Sequence, residues 1–295
     1  GERGALEAGA APNLLPGGRP LDDPQARAEV AAVWSVDELP SAAGRDTAGI
    51  LSAAADGSLA ALLIAGLDPA DLPDPQLALT ALDTAGFVVS LEMRRSAVTD
   101  RADVVFPVAP VAEKAGSFVN WEGRQRSFTA ALSPTATPDM RVLAALADEL
   151  CIDLELRDAA TVRAEFNALG PWRGSSTPAP AVDAVPVAPA TGQVSLATWR
   201  MLLDDGRLQD GEASLAATAR PAVVRMSAGT AAQIGAVDDD AVTVSTDRGA
   251  ITLPLRITEM PDQVAWVPMN SPGSHVYETL GPAAVVAIRR GGDPS

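Results

Sequence analysis

Residues that bind metals are nearly absent from this sequence. Cys151 is the single cysteine and His275 the single histidine among 295 residues. One cysteine excludes an intramolecular disulfide, a zinc cluster and an all-cysteine iron–sulfur site within the chain. One histidine excludes a multi-histidine metal site and leaves only a Ser-His-Asp arrangement open. We therefore predict no metal site in this chain.

Basic residues are also few. There are 22 lysines and arginines against 38 acidic residues, for a formal net charge of -16, and Lys114 is the one lysine. Contacts to nucleic-acid phosphates or to an anionic membrane surface need clustered basic side chains. The longest apolar run, residues 59–65, is far shorter than the roughly 18 residues of a membrane-spanning helix. We predict neither a nucleic-acid partner nor direct membrane insertion.

The order of apolar runs and helix-start residues predicts an α/β domain in the first part of the chain. Residues 1–20, rich in glycine, proline and alanine, are expected to form an extended arm. Aspartate before Pro24 is typical of a helix start. Apolar runs at residues 59–65 and 87–91 predict strands buried on both faces, with a helix at residues 74–86 between them. Such a βαβ unit belongs to a parallel sheet, and we assign residues 21–170 to one α/β domain. Further helices are predicted at residues 22–34, 47–57, 138–150 and 158–169.

The composition changes after residue 170. Hydrophobic residues make up 47% of the chain, and its length of 295 residues favours about two domains. Five prolines lie between residues 171 and 193, which predicts an extended Pro/Ala-rich linker at residues 171–195. A small β-barrel domain is predicted over residues 196–295 from short β runs with one helix at residues 228–234. The β runs lie at residues 222–226, 241–246, 250–257, 264–267 and 284–288.

The stretch of residues 99–126 has the clearest chemical character. It carries acidic, amide and guanidinium side chains beside two glycines: Glu113, Gly116, Asn120, Glu122, Gly123 and Arg124. Glycines allow tight turns and a close approach of the backbone to a ligand, while asparagine and arginine can bind heterocycles or phosphates. The alternative is that the two glutamates only neutralise Arg124 and Arg126 beneath a loop.

These residues resemble the molybdopterin oxidoreductase superfamily. The similar pattern runs through Thr99, Ala102, Asp103, Val104, Val105 and Pro107, then Glu113, Gly116, Ser117, Phe118, Asn120, Glu122, Gly123 and Arg124; the superfamily usually has threonine in place of Ser117. The region from about Arg220 to Arg289, with Gln233-Ile234-Gly235 and Asp239-Asp240-x-Val242, resembles its molybdopterin dinucleotide-binding domain. The resemblance implies a parallel-sheet α/β domain followed by a small double-psi β-barrel domain.

Within the superfamily, the sequence is similar to the family of G subunits of NADH-quinone oxidoreductase, respiratory complex I. The similar segments are residues 3–6, 13–18, 63–69, 89–92 and 270–273. That family carries cysteine-rich iron–sulfur segments towards its N-terminus, so the resemblance implies that this chain is a C-terminal scaffold portion of such a protein. Iron–sulfur clusters are then expected in the missing N-terminal part, and none in this segment.

The same resemblance implies a location and partners. The chain would support electron transfer from NADH to quinone in the peripheral arm, on the cytoplasmic side of the bacterial plasma membrane. Its partners would be the other peripheral-arm subunits and the N-terminal part of its own subunit. The alternative is the C-terminal part of a molybdopterin-containing, formate-dehydrogenase-like oxidoreductase.

One departure from the superfamily bears on the cofactor. Where the superfamily commonly has Gly-x-Asn-Pro, a loop that serves the pterin nucleotide, this chain has Gly66-Leu67-Asp68-Pro69. Asp68 would place a carboxylate near a pyrophosphate, which is repulsive unless the charge is paired. We therefore expect no catalytic residue and no bound molybdopterin, only a vestigial pterin pocket. Its residues are Asp68, Glu113, Gly116, Asn120, Glu122, Gly123 and Arg124.

The remaining chemically distinctive residues are predicted to be structural. His275, in a Pro-Gly-Ser-His turn, could carry a proton but is expected to be exposed or partly satisfied. Cys151 follows an apolar helix face and is expected to be a buried, inert thiol. Four of the five tryptophans, Trp121, Trp172, Trp199 and Trp266, are expected to anchor packing rather than to stack on a ligand.

Overall fold

The computed structural model describes residues 2–177 and 188–291. The chain divides into two compact units, Gly1–Gly66 with Ala81–Ala181, and Leu67–Thr80 with Val182–Ser295. Residues 67–80, assigned from the sequence to the first domain, therefore belong to the unit that contains the C-terminal half. Residues 178–187 of the predicted linker lie outside the described residues.

The first unit contains a parallel sheet, a β-hairpin and several helices. In chain order the elements from the start of the chain to its middle are α1 (Glu2–Glu7), β1 (Leu14–Leu15), β2 (Arg19–Pro20), α2 (Pro24–Val33), α3 (Thr47–Ala55), β3 (Ala61–Ala65), α4 (Pro75–Thr84), β4 (Phe87–Glu92), β5 (Val104–Pro107), β6 (Gly116–Val119), β7 (Gln125–Phe128), α5 (Asp139–Glu149) and α6 (Ala159–Ala168). Helix α4 begins in the second unit and ends in the first. Short 3₁₀ turns occur at Pro69–Asp71 and Val111–Glu113.

Strands β3, β4 and β5 pair in that order and all run parallel. Leu63 lies opposite Val89, and Val89 lies opposite Val104. The predicted strand–helix–strand unit is confirmed. The predicted helix starts are confirmed as well, since the Asp23 carboxylate accepts the N–H groups of Gln25 and Ala26 at the start of α2.

The predictions for residues 1–20 and for strand β3 are wrong. Residues 1–20 are not an extended arm, because they form α1 and the short antiparallel pair of β1 and β2. Strand β3 is not buried on both faces: Leu62 is 7% exposed, whereas its neighbour Leu63 is 54% exposed. The physical reason is that β3 lies at the edge of the described sheet.

The second unit is a closed six-stranded barrel. Its later elements are β8 (Gln193–Trp199), α7 (Ala213–Ala216), β9 (Val224–Met226), α8 (Ala228–Gln233), β10 (Ala241–Ser245), β11 (Ala250–Ile257), β12 (Val264–Pro268), β13 (Asn270–Ser271), β14 (Ser274–His275), α9 (Val276–Thr279) and β15 (Val285–Arg290), with a 3₁₀ turn at Arg207–Gln209. The barrel order is β10-β11-β9-β12-β8-β15. The pairs β9–β11 and β8–β12 are parallel and the other pairs are antiparallel.

The interior of the barrel is an apolar core. Alternate strand residues point inwards, and those with no measurable exposure are Val194, Val224, Met226, Val242, Val244, Leu255, Ala265 and Val267. The predicted fold class is confirmed: an α/β domain with a parallel sheet followed by a small double-psi β-barrel. The sequence boundary at residue 196 misses the first three residues of β8, because Gln193–Trp199 directly follows the proline-rich stretch.

Three residues that the sequence predicts to be buried or to anchor packing are exposed in the structure. Cys151 is exposed, because the chain turns away after α5 and Cys151 itself adopts a positive φ of 60°. Trp121 and Trp199 are 84% and 74% exposed, so they do not anchor packing. Trp266 does pack, since the Arg225 guanidinium lies 5.8 Å from its ring centroid.

Candidate functional site

Most of the predicted pocket residues lie in one β-hairpin. Strands β6 and β7 are antiparallel, with Val119 opposite Gln125, and residues 120–124 form the turn. The Asn120 side-chain oxygen accepts the backbone N–H groups of Glu122 at 3.1 Å and Arg124 at 2.8 Å. Gly123 has a φ of +81°, which an L residue adopts only with strain. The turn therefore uses its asparagine and one glycine to close on itself.

Gly116 is required by packing rather than by a ligand. A Cβ at this position would lie 2.7 Å from an atom of the Phe128 ring. That ring stacks on Phe118 with a centroid distance of 4.9 Å. The aromatic pair across the hairpin therefore explains the glycine.

Glu122 and Arg124 form an exposed ion pair. The Arg124 Nε atom lies 3.1 Å from the Glu122 carboxylate, and the side chains of Arg124 and Glu122 are 65% and 39% exposed respectively. Glu122 therefore neutralises Arg124, as the alternative interpretation predicted, but the pair is exposed rather than beneath a loop. Removal of Arg124 consequently leaves no buried charge, and the loss of roughly 3–5 kcal/mol expected for a buried pair does not apply. An exposed pair contributes about 0–1 kcal/mol.

Glu113 is engaged elsewhere in the first unit. Its carboxylate accepts the Thr135 N–H at 2.7 Å and the Thr135 hydroxyl at 2.8 Å. These hydrogen bonds, that from the backbone first, lower the pKa of Glu113 from its ordinary value of 4.5. Glu113 thus ties the 3₁₀ turn at Val111–Glu113 to the segment that leads into α5.

Asp68 belongs to the second unit and caps a turn there. Its carboxylate accepts the Ala70 N–H at 3.0 Å, at the start of the 3₁₀ turn Pro69–Asp71. The charge that would repel a pyrophosphate is therefore used locally as an N-cap.

Two ion pairs that the sequence did not indicate explain why residues 67–80 belong to the barrel unit. Arg200 pairs with Asp71, and Arg248 contacts both Asp74 carboxylate oxygens at 3.2 Å. The partners are 129 and 174 residues apart in sequence. Local spacing carries no signal for pairs at such separations.

His275 is partly satisfied, as predicted. Its Nδ1 atom lies 3.0 Å from the Asn270 side-chain oxygen and its Nε2 atom lies 3.3 Å from the Asp205 carboxylate. Among the described residues, no group of three or more histidine, cysteine, aspartate or glutamate side chains could hold a metal ion.

The cavity next to the hairpin is apolar. A groove of about 630 Å³ runs beside β6 and is lined on several sides by aliphatic and aromatic side chains, with Arg163 the one basic residue among those lining it. The apolar lining residues include Phe118, Met140, Leu143, Val162 and Phe166. A surface of this kind suits apolar groups rather than phosphates.

The family models match both units. Residues 15–149 match the model described as Molybdopterin oxidoreductase, and residues 206–295 match the Molydopterin dinucleotide binding domain. The chain therefore belongs to the molybdopterin oxidoreductase superfamily.

The chain is also similar to particular curated proteins. It is 59% identical over 95% of its length to the G subunit of NADH-quinone oxidoreductase from Mycobacterium bovis, and 54% identical over 98% to the corresponding protein of Streptomyces coelicolor. The chain spans 35% of the length of each of these relatives. Among solved structures, acetylene hydratase from Pelobacter acetylenicus has a similar fold over 82% of this chain and 42% of its own, with a TM-score of 0.52 and 16% identity.

The residues present do not fit the molybdopterin dinucleotide that the superfamily implies. Asn120 is turned into its own hairpin, Glu122 and Arg124 pair with each other, and Glu113 holds Thr135. In the barrel unit, Arg248 lines an open cavity of about 600 Å³, but its guanidinium is paired with Asp74. Charged donors that are already paired offer a phosphate little gain on binding.

Proposed function

We propose that this chain is the C-terminal scaffold portion of a subunit of NADH-quinone oxidoreductase and that it works without bound molybdopterin. In this role it supports the electron path from NADH to quinone in the peripheral arm but holds no redox centre of its own. The chemistry of the enzyme then takes place elsewhere in the assembly. The segment itself contributes shape and contact surface.

The observation that carries this proposal is how the polar side chains of the superfamily motif are paired. Neighbours in the same hairpin or the adjoining segment satisfy four of the motif's polar side chains, those of Glu113, Asn120, Glu122 and Arg124. The buried Ser117 hydroxyl of the motif has no hydrogen-bond partner in the part of the chain that the structure describes. A motif used in this way can persist for structural reasons after a cofactor has been lost. The high identity to the G subunits of two bacterial NADH-quinone oxidoreductases, over nearly the whole chain, supports the same proposal.

We further propose that its partners are the other peripheral-arm subunits and the N-terminal part of its own subunit. The proposed location is the cytoplasmic face of the bacterial plasma membrane, within a membrane-associated complex. Across residues 2–177 and 188–291, none of the helices has both the length and the apolarity needed to cross a bilayer.

The proposal predicts that Arg124 is dispensable for turnover. An Arg124→Ala change breaks only an exposed ion pair, so NADH:quinone turnover of the assembled complex should stay close to that of the unchanged complex. Arg126→Ala is the matched control, because Arg126 lies in the same hairpin and, among the described residues, donates only to the neighbouring Gln125 carbonyl. Assembly is measured alongside turnover by the yield of the complex.

One combination of results would contradict the scaffold proposal. A complex that assembles normally with Arg124→Ala but loses turnover, while Arg126→Ala keeps it, would show that the motif serves a bound group. The scaffold proposal would then be wrong, and a molybdopterin-containing oxidoreductase would be the better account.

A further inference from the structure

Two leucines of the barrel unit are almost completely exposed. Leu202 is 100% exposed and Leu208 is 96% exposed. Trp199, at the end of β8, is 74% exposed, and Leu215, in α7, is 47% exposed. One exposed apolar residue is ordinary on a protein surface, but several within a short segment indicate a contact site. We call this segment, residues 199–215, the leucine loop.

Polar contacts fix the leucine loop on the barrel unit. The Arg200 guanidinium lies 3.0 Å from the Asp204 carboxylate. The Asp205 N–H donates to the Asn270 carbonyl at 2.8 Å, and the Asp205 carboxylate lies 3.3 Å from the His275 Nε2 atom. All of these residues belong to the same unit. The loop is therefore held in shape while its leucines face solvent, so a partner could bind it with little further loss of conformational entropy.

The leucine loop is also acidic. Its charged residues are Arg200, Asp204, Asp205, Arg207, Asp210 and Glu212. Both arginines are paired with carboxylates, since Arg207 lies 2.9 Å from Asp210. The loop thus combines exposed leucines with a surplus of carboxylates. An apolar centre with a charged border is typical of an interface between separately folded proteins, whereas the interior of a domain is depleted of charged residues.

The charge of the loop decides between possible occupants. An anionic membrane surface would repel it. A symmetric contact with a second copy would bring two acidic loops together, and each chain has a formal net charge of -16. A protein surface that has an apolar pocket bordered by lysine or arginine side chains fits both the leucines and the carboxylates.

We infer that the leucine loop docks on another subunit of the assembly. Leu202 and Leu208 fill an apolar pocket of that subunit, and basic side chains at the border of the pocket face the carboxylates of the loop. The inference rests on the proposed function, in which the chain works within a complex of several subunits. It deepens that proposal by assigning a contact surface to the barrel unit.

The first test maps the neighbour of the loop in the assembled complex. A photoreactive benzoylphenylalanine is placed at Leu208 of the full-length subunit, and the crosslinked peptides are identified by mass spectrometry. Val237 carries the probe as the matched control, because it is 63% exposed in the same unit and also lies next to acidic residues, Asp238–Asp240. We expect Leu208 to crosslink to a lysine- or arginine-rich peptide of another subunit, and Val237 not to give that peptide.

The second test replaces the exposed leucines. A double Leu202→Ser and Leu208→Ser variant of the full-length subunit should bind the rest of the complex about tenfold more weakly or worse, because each leucine loses its apolar burial at the interface. The melting temperature of the free full-length subunit should stay unchanged, since a fully exposed side chain contributes little to the fold. Val237→Ser is the control for binding and should leave it unchanged.

Several results would overturn the inference. They are a Leu208 crosslink to its own subunit, to a second copy or to lipid, the absence of any crosslink, and a crosslinked surface without basic residues. Unchanged binding of the double serine variant would do the same. A lowered melting temperature of that variant would show that the leucines support the fold instead. None of these results bears on molybdenum content or on Arg124, so the proposed function would fail separately.

Discussion

At the scale of single residues, Arg19 organises more of the first unit than any residue of the predicted pocket. It is 1% exposed and its guanidinium reaches Glu29 at 3.0 Å, the Leu169 carbonyl at 2.6 Å and the Gly170 carbonyl at 3.3 Å. It also lies 5.6 Å from the Trp172 ring centroid. One side chain thus joins β2, α2 and the end of α6, because arginine offers several donors in a fixed fork.

This arrangement predicts a large effect on stability. Arg19→Ala removes the donors to the Leu169 and Gly170 carbonyls and the ion pair with Glu29, so the free energy of unfolding should fall by roughly 3 kcal/mol. Arg19→Lys, a single point charge, should recover only part of that loss. Arg126→Ala in the exposed hairpin should change stability by less than about 0.5 kcal/mol. Denaturant unfolding of each variant measures the differences, and a neutral Arg19→Ala would contradict this role.

At the scale of elements, the contact between Glu113 and Thr135 ties the 3₁₀ turn to the approach to α5. Because the folded-state pKa of Glu113 lies below its ordinary value of 4.5, its contribution is fully present above that value. The contribution is lost as pH falls through the lowered pKa. A Glu113→Gln variant should therefore melt at a lower temperature than the unchanged chain at neutral pH.

The pH profile of melting temperature checks this prediction. The gap between the unchanged chain and Glu113→Gln should stay constant from about pH 7 to about pH 5 and close at lower pH. Glu149→Gln, a charge loss on the exposed side of α5, is the control and should show no such closing gap. A Glu113→Gln gap that widened on acidification would mean that the hydrogen bonds to Thr135 do not favour the carboxylate.

The sequence was informative where local chemistry decides the structure. Asp23 and Pro24 located α2, and β runs bounded by turn residues located most of the barrel. It was uninformative where the outcome depends on distant partners: the burial of Arg19, the pairing of Arg248 with Asp74, and the open face at Leu63. Helix α1 was missed because its six residues are too few to show a clear apolar period. The motif residues were identified as a group, but their mutual hydrogen bonds were not predictable from spacing.

At the scale of the whole molecule, the acidic balance and the scarcity of free basic groups agree with a scaffold role. A net charge of -16 disfavours a polyanionic ligand unless basic side chains are set aside for it. Arg124 in the first unit and Arg248 in the second unit are each paired with a carboxylate of the same unit. The scaffold role therefore requires that the working subunit holds no dinucleotide cofactor.

Molybdenum and guanine nucleotide per mole of purified full-length subunit, taken from an active complex, test this claim most directly. Metal is counted by elemental mass spectrometry and nucleotide by chromatography after denaturation. The scaffold account predicts that both are far below one per subunit while NADH:quinone turnover is normal. Stoichiometric molybdenum together with guanine nucleotide would contradict it.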